Sequence, residues 1–345
     1  MLLAQNISNL LLQNAYVLVM ACGMLLCILT GGNVDLSVGS TLCLASASAG
    51  QVLAHGGSAW SAILTALAIA LVIGICQGFL IGMLHIPPFI CTLAGMFLYR
   101  GIARAVLDSH TVIIQDETYL DLFTSYIQIS GFDVRRHCTS ALIAAVIIAV
   151  LITLVFLYNN KRRRGSIIKI AVIDVLIVFY GYKFSQYQGI PVMLLWILGI
   201  VLIFGFITQY TAFGRYFYAV GGNEKAAKLS GIDPRKVYFR AYLLMSVLAG
   251  FAGLLVSARI GAIDGNMGSS YEMDAIASCF IGGASAYGGS GSIGGVMIGA
   301  ILLGVINQGM SIYGLPDQWQ YVVKGAVLLM AVIFDVVSNH KTGKS

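Results

Sequence analysis

The chain has 345 residues, 59% of them hydrophobic and only 10% charged, with a mean hydropathy of +0.89. A soluble domain carries about 25% charged residues, so water is excluded as the solvent for most of this chain, and lipid takes its place. The net charge of +6 does not point to nucleic acid, because the basic residues sit in short loops between apolar runs, where they set membrane topology.

Apolar runs fall at about 12–30, 37–55, 59–84, 88–107, 138–158, 166–183, 190–208, 237–258, 272–289, 292–312 and 317–337. Most approach the roughly 20 residues that cross a hydrocarbon core. The expected fold is all-α, a polytopic transmembrane bundle of about ten to eleven spans in a single domain over 1–345.

Residues 1–11 hold no Lys or Arg and lack the basic start of a signal peptide. They are placed outside. Residues 31–40 then read Gly-Gly-Asn-Val-Asp-Leu-Ser-Val-Gly-Ser. Asp35, in this Gly-bounded break, either caps the next helix with help from Ser37 or takes part in a gate. In the third run Gly74, Gly78 and Gly82 form a small-residue stripe for close helix packing.

The loop at about 108–137 is mainly acidic, with Asp108, Asp116, Glu117, Asp121 and Asp133 against Arg135 and Arg136. It reads as extracytoplasmic. The segment 159–169 carries Lys161, Arg162, Arg163, Arg164 and Lys169, and the segment 209–236 carries Arg215, Lys225, Lys228, Arg235 and Lys236. Both read as cytoplasmic, and the two runs between them make that placement consistent. Asp174 lies in one of those runs. With Lys169 and Lys183 nearby, local pairing or an interface position is expected.

Residues 213–236 form the longest polar stretch on the cytoplasmic side and have their own punctuation. Gly221 and Gly222 are expected to break the preceding segment, and Asn223 to cap a new helix with Glu224 in its first turn. Gly231 suits a left-handed stop. Asp233 and Pro234 then open the next spanning helix. The product is a helix of about two turns, too short to stand alone in water. Ala226, Ala227 and Leu229 give it a small apolar surface for docking into a groove on a partner. A solvated loop with one helical turn is the competing reading.

The Gly- and Ser-rich run 272–289 is the weakest candidate span, with Glu272 and Asp274 at its start. It is the one expected to be re-entrant or broken. Gly289, Gly291 and Gly294 spell GxGxxG, but no strand precedes them, so tight packing or a turn is expected rather than a dinucleotide site. Lys324, in the last run, is expected to snorkel toward the interface, with contact to a partner outside as its competing role. The seven cysteines and five histidines are dispersed, and no metal site is expected. No GxxxxGK[ST] is present, so the chain has no phosphate cradle of its own.

The stretch Phe-Gly-Arg-Tyr-Phe-Tyr-Ala-Val-Gly-Gly-Asn-Glu-Lys-Ala-Ala-Lys-Leu-Ser-Gly-Ile at 213–232 resembles the cytoplasmic coupling loop of ATP-binding-cassette importer permeases of the monosaccharide branch (ribose, xylose, galactose, multiple sugars). Residues 31–40, 87–103, 274–310 and 319–336 resemble further family signatures, in family order and over nearly the whole chain. The inserted basic loop and helix pair near 159–190 resembles the xylose or multiple-sugar type. The family carries another span before the segment similar to residues 1–11, so one N-terminal span is expected to be missing.

The resemblance implies a permease subunit that is not itself an enzyme, is similar in plan to type II importers, and lies in the bacterial cytoplasmic (inner) membrane. It also implies a second permease copy, a periplasmic or extracellular sugar-binding protein, and a separate cytoplasmic ATPase that holds ATP and Mg, with no cofactor in this chain. The coupling role carries over to Gly222, Asn223, Glu224, Ala226, Ala227 and Gly231. A neutral sugar needs hydroxyl and amide partners rather than counter-charges. The candidates for its pathway or gate are Asn33, Asp35, Ser37, Ser40, Ser278, Ser285 and Asn307, each with helix packing or capping as its competing role. The rival function is a stand-alone secondary transporter or facilitator. That reading calls for an ion-coupling acid or base at midspan.

Overall fold

The structure is a computed structural model that describes residues 3–127, 133–134, 137–159 and 164–341. Helices dominate it: α1 (Ala4–Gln13), α2 (Ala15–Leu29), α3 (Val38–Ala54), α4 (Ala59–Gly78), α5 (Pro88–Val106), α6 (Glu117–Thr124), α7 (Thr139–Asn159), α8 (Arg164–Ser185), α9 (Val192–Tyr210), α10 (Ala212–Gly222), α11 (Glu224–Leu229), α12 (Pro234–Ile260), α13 (Tyr271–Ile281), α14 (Ile293–Tyr313) and α15 (Asp317–Lys341). A π-helical turn, Phe79–Met83, prolongs α4. Seven helices among the described residues are long and apolar enough to cross a membrane. The basic residues Lys161, Arg162 and Arg163, together with Arg135 and Arg136, lie outside the described residues.

Contacts divide the chain into two compact units. The first joins Met1–Leu12 to Thr124–Leu195. Its core is the α7–α8 pair, where Gly181 faces the Ala145 methyl. Here Asp174 accepts a hydrogen bond from the Thr153 hydroxyl, a partner on the facing helix α7 rather than one of the nearby lysines expected of it. A short antiparallel pairing of Tyr126–Ile127 with Ile190–Pro191 closes the unit.

The second unit joins Gln13–Phe123 to Trp196–Ser345. All fifteen residues of α2 are buried, as expected of a helix that is apolar on every side. α12 runs antiparallel to α4, and the glycine stripe makes that approach possible. A Cβ on Gly74 would meet Leu243, one on Gly78 would meet the Phe239 carbonyl at 2.7 Å, and one on Gly82 would meet the Arg235 carbonyl at 2.6 Å. The acidic loop is tied to the far end of α12 by antiparallel pairing of Val112–Ile113 with Ala262–Ile263. Tyr119 of α6 is fully buried and hydrogen-bonds Ser257 at 2.8 Å. That burial pushes its phenol above the usual range.

The run 272–289 differs from a continuous span. Its helix, α13, has only 11 residues, roughly 16 Å or half the hydrocarbon thickness. The rest of the crossing is irregular. Residues 261–270 run back along α3 from the end of α12, from Gly50 beside Ile263 to Gly39 beside Gly268, and the turn after α13 reaches the opposite end, where Gly289 N–H donates to the Leu29 carbonyl at 3.0 Å. Residues 31–37 form a matching irregular stretch before α3. Where α3 begins, it meets the 261–270 stretch backbone to backbone: a Cβ on Gly39 would lie 2.2 Å from the Gly268 carbonyl oxygen, and one on Gly268 would lie 2.5 Å from that of Gly39. Only glycine allows this junction.

Candidate functional site

The segment between α9 and α12 is built almost wholly from local bonds. Thr211 opens α10 by accepting from the Gly214 N–H at 3.0 Å. Phe217 and Val220 bury one face of α10, and the Arg240 guanidinium lies 5.3 Å over the Phe213 ring. Gly221 and Gly222 do not break α10; they are its last two residues, and the break falls at Asn223. Gly221 serves packing instead. A Cβ there would lie 1.6 Å from the Leu29 carbonyl oxygen and 2.7 Å from the Gly289 nitrogen, whereas Gly222 faces open space.

Asn223 is extended (φ −161°, ψ 99°), and its Oδ1 accepts from the Ala226 N–H at 2.9 Å. That bond satisfies one of the donors orphaned at a helix start. Six residues later the helix stops in a complete Schellman motif. Gly231 takes φ +84°. Its N–H donates to the Lys228 carbonyl at 3.1 Å, and the Ile232 N–H to the Ala227 carbonyl at 3.0 Å. Asp233 then caps α12 through the Arg235 N–H at 3.1 Å, with Pro234 as the first helical residue. Glu224 accepts from the Tyr238 hydroxyl at 3.2 Å, which ties α11 to α12.

α11 therefore has a definite inside and outside. Ala227 is buried, while Lys225, Ala226 and Lys228 are exposed and Leu229 is 90% exposed. Ala227 thus belongs to the inner face, not to the outward apolar surface expected of it. Beneath α11 lies a cavity of about 380 Å³ whose walls include Asn33, His85, Glu224, Lys228 and Arg235.

The turn after α13 is the neighbour of this segment. Tyr218 of α10 donates to the Gly291 carbonyl at 3.0 Å, and the Ala286 N–H donates to Asp335 of α15 at 2.9 Å. Of the GxGxxG glycines, Gly289 sits on Gly221 and Gly222, and Gly291 (φ +152°) on Leu25 and Ala284, whereas Gly294 lies in the first turn of α14 and meets nothing within 4 Å.

The seven polar candidates do not line one space. Asp35 is fully buried, and its Oδ1 accepts from both the backbone N–H and the hydroxyl of Ser37, at 2.8 and 2.7 Å. Ser37 in turn accepts from Gln77 at 2.7 Å. Ser40 is fully buried beside them. Ser278 donates to the Asp274 carbonyl within α13. Ser285 accepts from the Tyr287 N–H. Asn33 donates to the Thr30 carbonyl and faces the cavity under α11. Asn307 is half-buried on α14.

Sequence reasoning missed a second feature. Lys324 does not snorkel. Its Nζ lies 2.9 Å from Asp274 Oδ2, with side-chain exposures of 17% and 1%. Tyr16 donates to the same oxygen at 2.7 Å. A lysine and an acid within two apolar runs were the available signal. In low dielectric they meet, because the alternative is two uncompensated charges.

A multi-pass helical bundle with half-length, broken helices at its centre and a rigidly capped short helix at one end is a membrane transport subunit. The chain belongs to the family described as the branched-chain amino acid transport system / permease component, whose model matches residues 6–332. It is 36% identical to the xylose transport system permease protein of Haemophilus influenzae over 98% of this chain and 90% of that protein. It is 32% identical to the corresponding Escherichia coli protein, with 98% and 86% covered. It is also 32% identical to the Escherichia coli ribose import permease protein, with 96% and 85% covered. No solved structure matches the chain.

Proposed function

We propose that the chain is the permease subunit of an ATP-binding-cassette importer for a monosaccharide, of the xylose type, in the bacterial cytoplasmic membrane. It forms the translocation pathway together with a second copy of itself. A sugar-binding protein delivers the solute outside, and a separate ATPase, holding ATP and Mg, docks inside. The observation that carries this reading is α11, a helix of six residues capped at both ends that presents Leu229 to solvent. A helix this short is stable only when its ends are bonded and one face is packed. Here one face is packed on the permease through Ala227, which leaves Ala226 and Leu229 for a groove on a partner.

The contacts of α11 also give it something to push. Movement of α11 passes through Asn223 to the end of α10. That end touches the α2 carbonyl of Leu29 and the turn at 288–291 through Gly221 and Tyr218. The turn leads directly into the broken crossing that contains α13. Packed backbone of this kind shifts as a unit rather than deforming, so closure of the ATPase reaches the centre of the membrane.

The test is Ala226→Glu together with Leu229→Glu, two outward positions whose change leaves the packed face intact. The expected result is an unchanged melting temperature for the permease, loss of the ATPase on co-purification, and sugar uptake at background in proteoliposomes. An ATPase that still co-purifies and drives uptake would remove α11 from the coupling role.

A further inference from the structure

A second cavity, of about 400 Å³, lies between the start of α13 and the outer third of α15. Its walls are Ser269, Ser270, Tyr271, Gln320, Tyr321 and Lys324. Every one of these side chains carries a hydrogen-bonding group, and none is aliphatic. Lys324 is seven residues into α15, roughly 10 Å below its outer end. Unsatisfied polar groups in hydrocarbon are strongly disfavoured, so a space lined this way within a span is filled by water or a polar solute. Its volume falls within the range of about 300–1,000 Å³ typical of small-molecule sites.

The chemistry of the walls selects the solute. Hydroxyl and amide groups both donate and accept, as a polyhydroxy compound requires. The single cation of the walls, Lys324, is offset by Asp274 at 2.9 Å, so the site is close to neutral and has no excess charge to hold an anion. Among the described residues no carboxylate forms the walls to hold a cation. Tyr271 is locked in place by stacking on Tyr16, with ring centroids 3.7 Å apart and an interplanar angle of 18°. Tyr321 is 54% exposed. Rigid aromatic rings beside hydroxyl and amide partners fit the C–H face and the rim hydroxyls of a sugar ring. Ser270 holds a left-handed backbone (φ +67°), a conformation a serine keeps only where its surroundings impose it.

We infer that this cavity is a weak way-station for a neutral sugar within the translocation pathway, with Ser270 and Gln320 exchanging hydrogen bonds with its hydroxyls, Lys324 donating to them and the tyrosines packing against its ring. The inference rests on the importer reading for its substrate. Weak binding is what transport requires, since a site that holds its solute tightly does not release it.

Gln320→Leu and Tyr321→Ala test the inference, because neither residue belongs to the buried ion pair. The purified permease–ATPase complex in nanodiscs, without binding protein, is probed with D-xylose, D-ribose and D-galactose by saturation-transfer NMR, with L-proline as a zwitterionic control. Uptake of the same sugars is measured in proteoliposomes with the binding protein. The expected result is a saturable sugar signal absent with proline and reduced about fivefold or more in both variants, with uptake falling in parallel and size-exclusion profiles unaltered. Sugar signal and uptake equal to wild type in both variants, while the wild type transports, would overturn the inference. A proline signal equal to that of the sugars would overturn its substrate class. If the wild type imports none of the sugars but the variant-sensitive sugar signal is present, the cavity stands as a polyol site and the importer reading falls.

Discussion

The capped segment around α11 and the ion-paired corner of α13 and α15 are held by opposite means. Around α11 the bonds join near neighbours: Asn223 to Ala226, Ile232 to Ala227, Asp233 to Arg235. In the other corner Tyr16 reaches Asp274 across 258 positions of sequence and Lys324 reaches it across 50. Solvent explains the difference. A segment in water is shaped by its own caps and turns, because the partner it binds is a separate molecule. A carboxylate shut away from solvent, as Asp274 is at 1% exposure, takes whatever partner the tertiary fold brings close. The two regions therefore fail differently when altered.

The largest expected effect is at the corner. Asp274→Ala leaves Lys324, 17% exposed at the wall of the polar cavity, without its counter-charge, a change that costs up to about 3–5 kcal/mol. The expected outcome is a protein that aggregates or elutes broadly on size exclusion. Adding Lys324→Met should restore most of the folded yield, because a missing pair is far better tolerated than half of one. If Asp274→Ala alone melts like wild type, the pair is not buried as described, and the contrast between the two regions disappears.

A smaller effect separates two adjacent glycines. Gly221→Ala places a methyl group 1.6 Å from the Leu29 carbonyl and forces α10 away from α2. Overpacking of this kind costs about 1–3 kcal/mol. Gly222→Ala meets nothing within 4 Å and should leave melting unaltered. Thermal unfolding of the two variants side by side checks this. Equal melting would mean that α10 is not seated on the end of α2.

The comparison also accounts for what the sequence made legible. Composition alone revealed the bundle, since apolar runs of span length have no soluble alternative. The Asn223 cap, the Gly231 stop and the Asp233–Pro234 start were readable because each depends on residues within five positions of itself. The crossing near 272–289 was readable as irregular, but not as a half-helix reached through 261–270. That break is set by contact of Gly268 with Gly39, and the sequence does not bring those two together. The fate of the polar candidates was hidden for the same reason. One oxygen of Asp35 is taken by its neighbour Ser37, a local event, but the Gln77 link that extends the network is long-range. Lys324 looked free to snorkel only because its partner lies in another helix.

The smallest effect tests whether the α11 segment is as local as its bonds imply. Asn223→Ala removes one cap, a loss of about 1 kcal/mol, while the Schellman stop, the packed Ala227 and the Tyr238–Glu224 bond remain. That is too little to unfold a spanning bundle, so global melting should stay within about a degree or two, whereas amide exchange across 224–229 should quicken by roughly fivefold or more. Asn223→Asp keeps the acceptor oxygen and should restore protection. Because a loosened α11 transmits force less well, ATP-driven uptake should fall in the alanine variant and recover in the aspartate variant, tracking exchange rather than melting. Uptake that falls without any change in exchange would mean that Asn223 touches the ATPase directly, which would make it a contact residue as well as a cap.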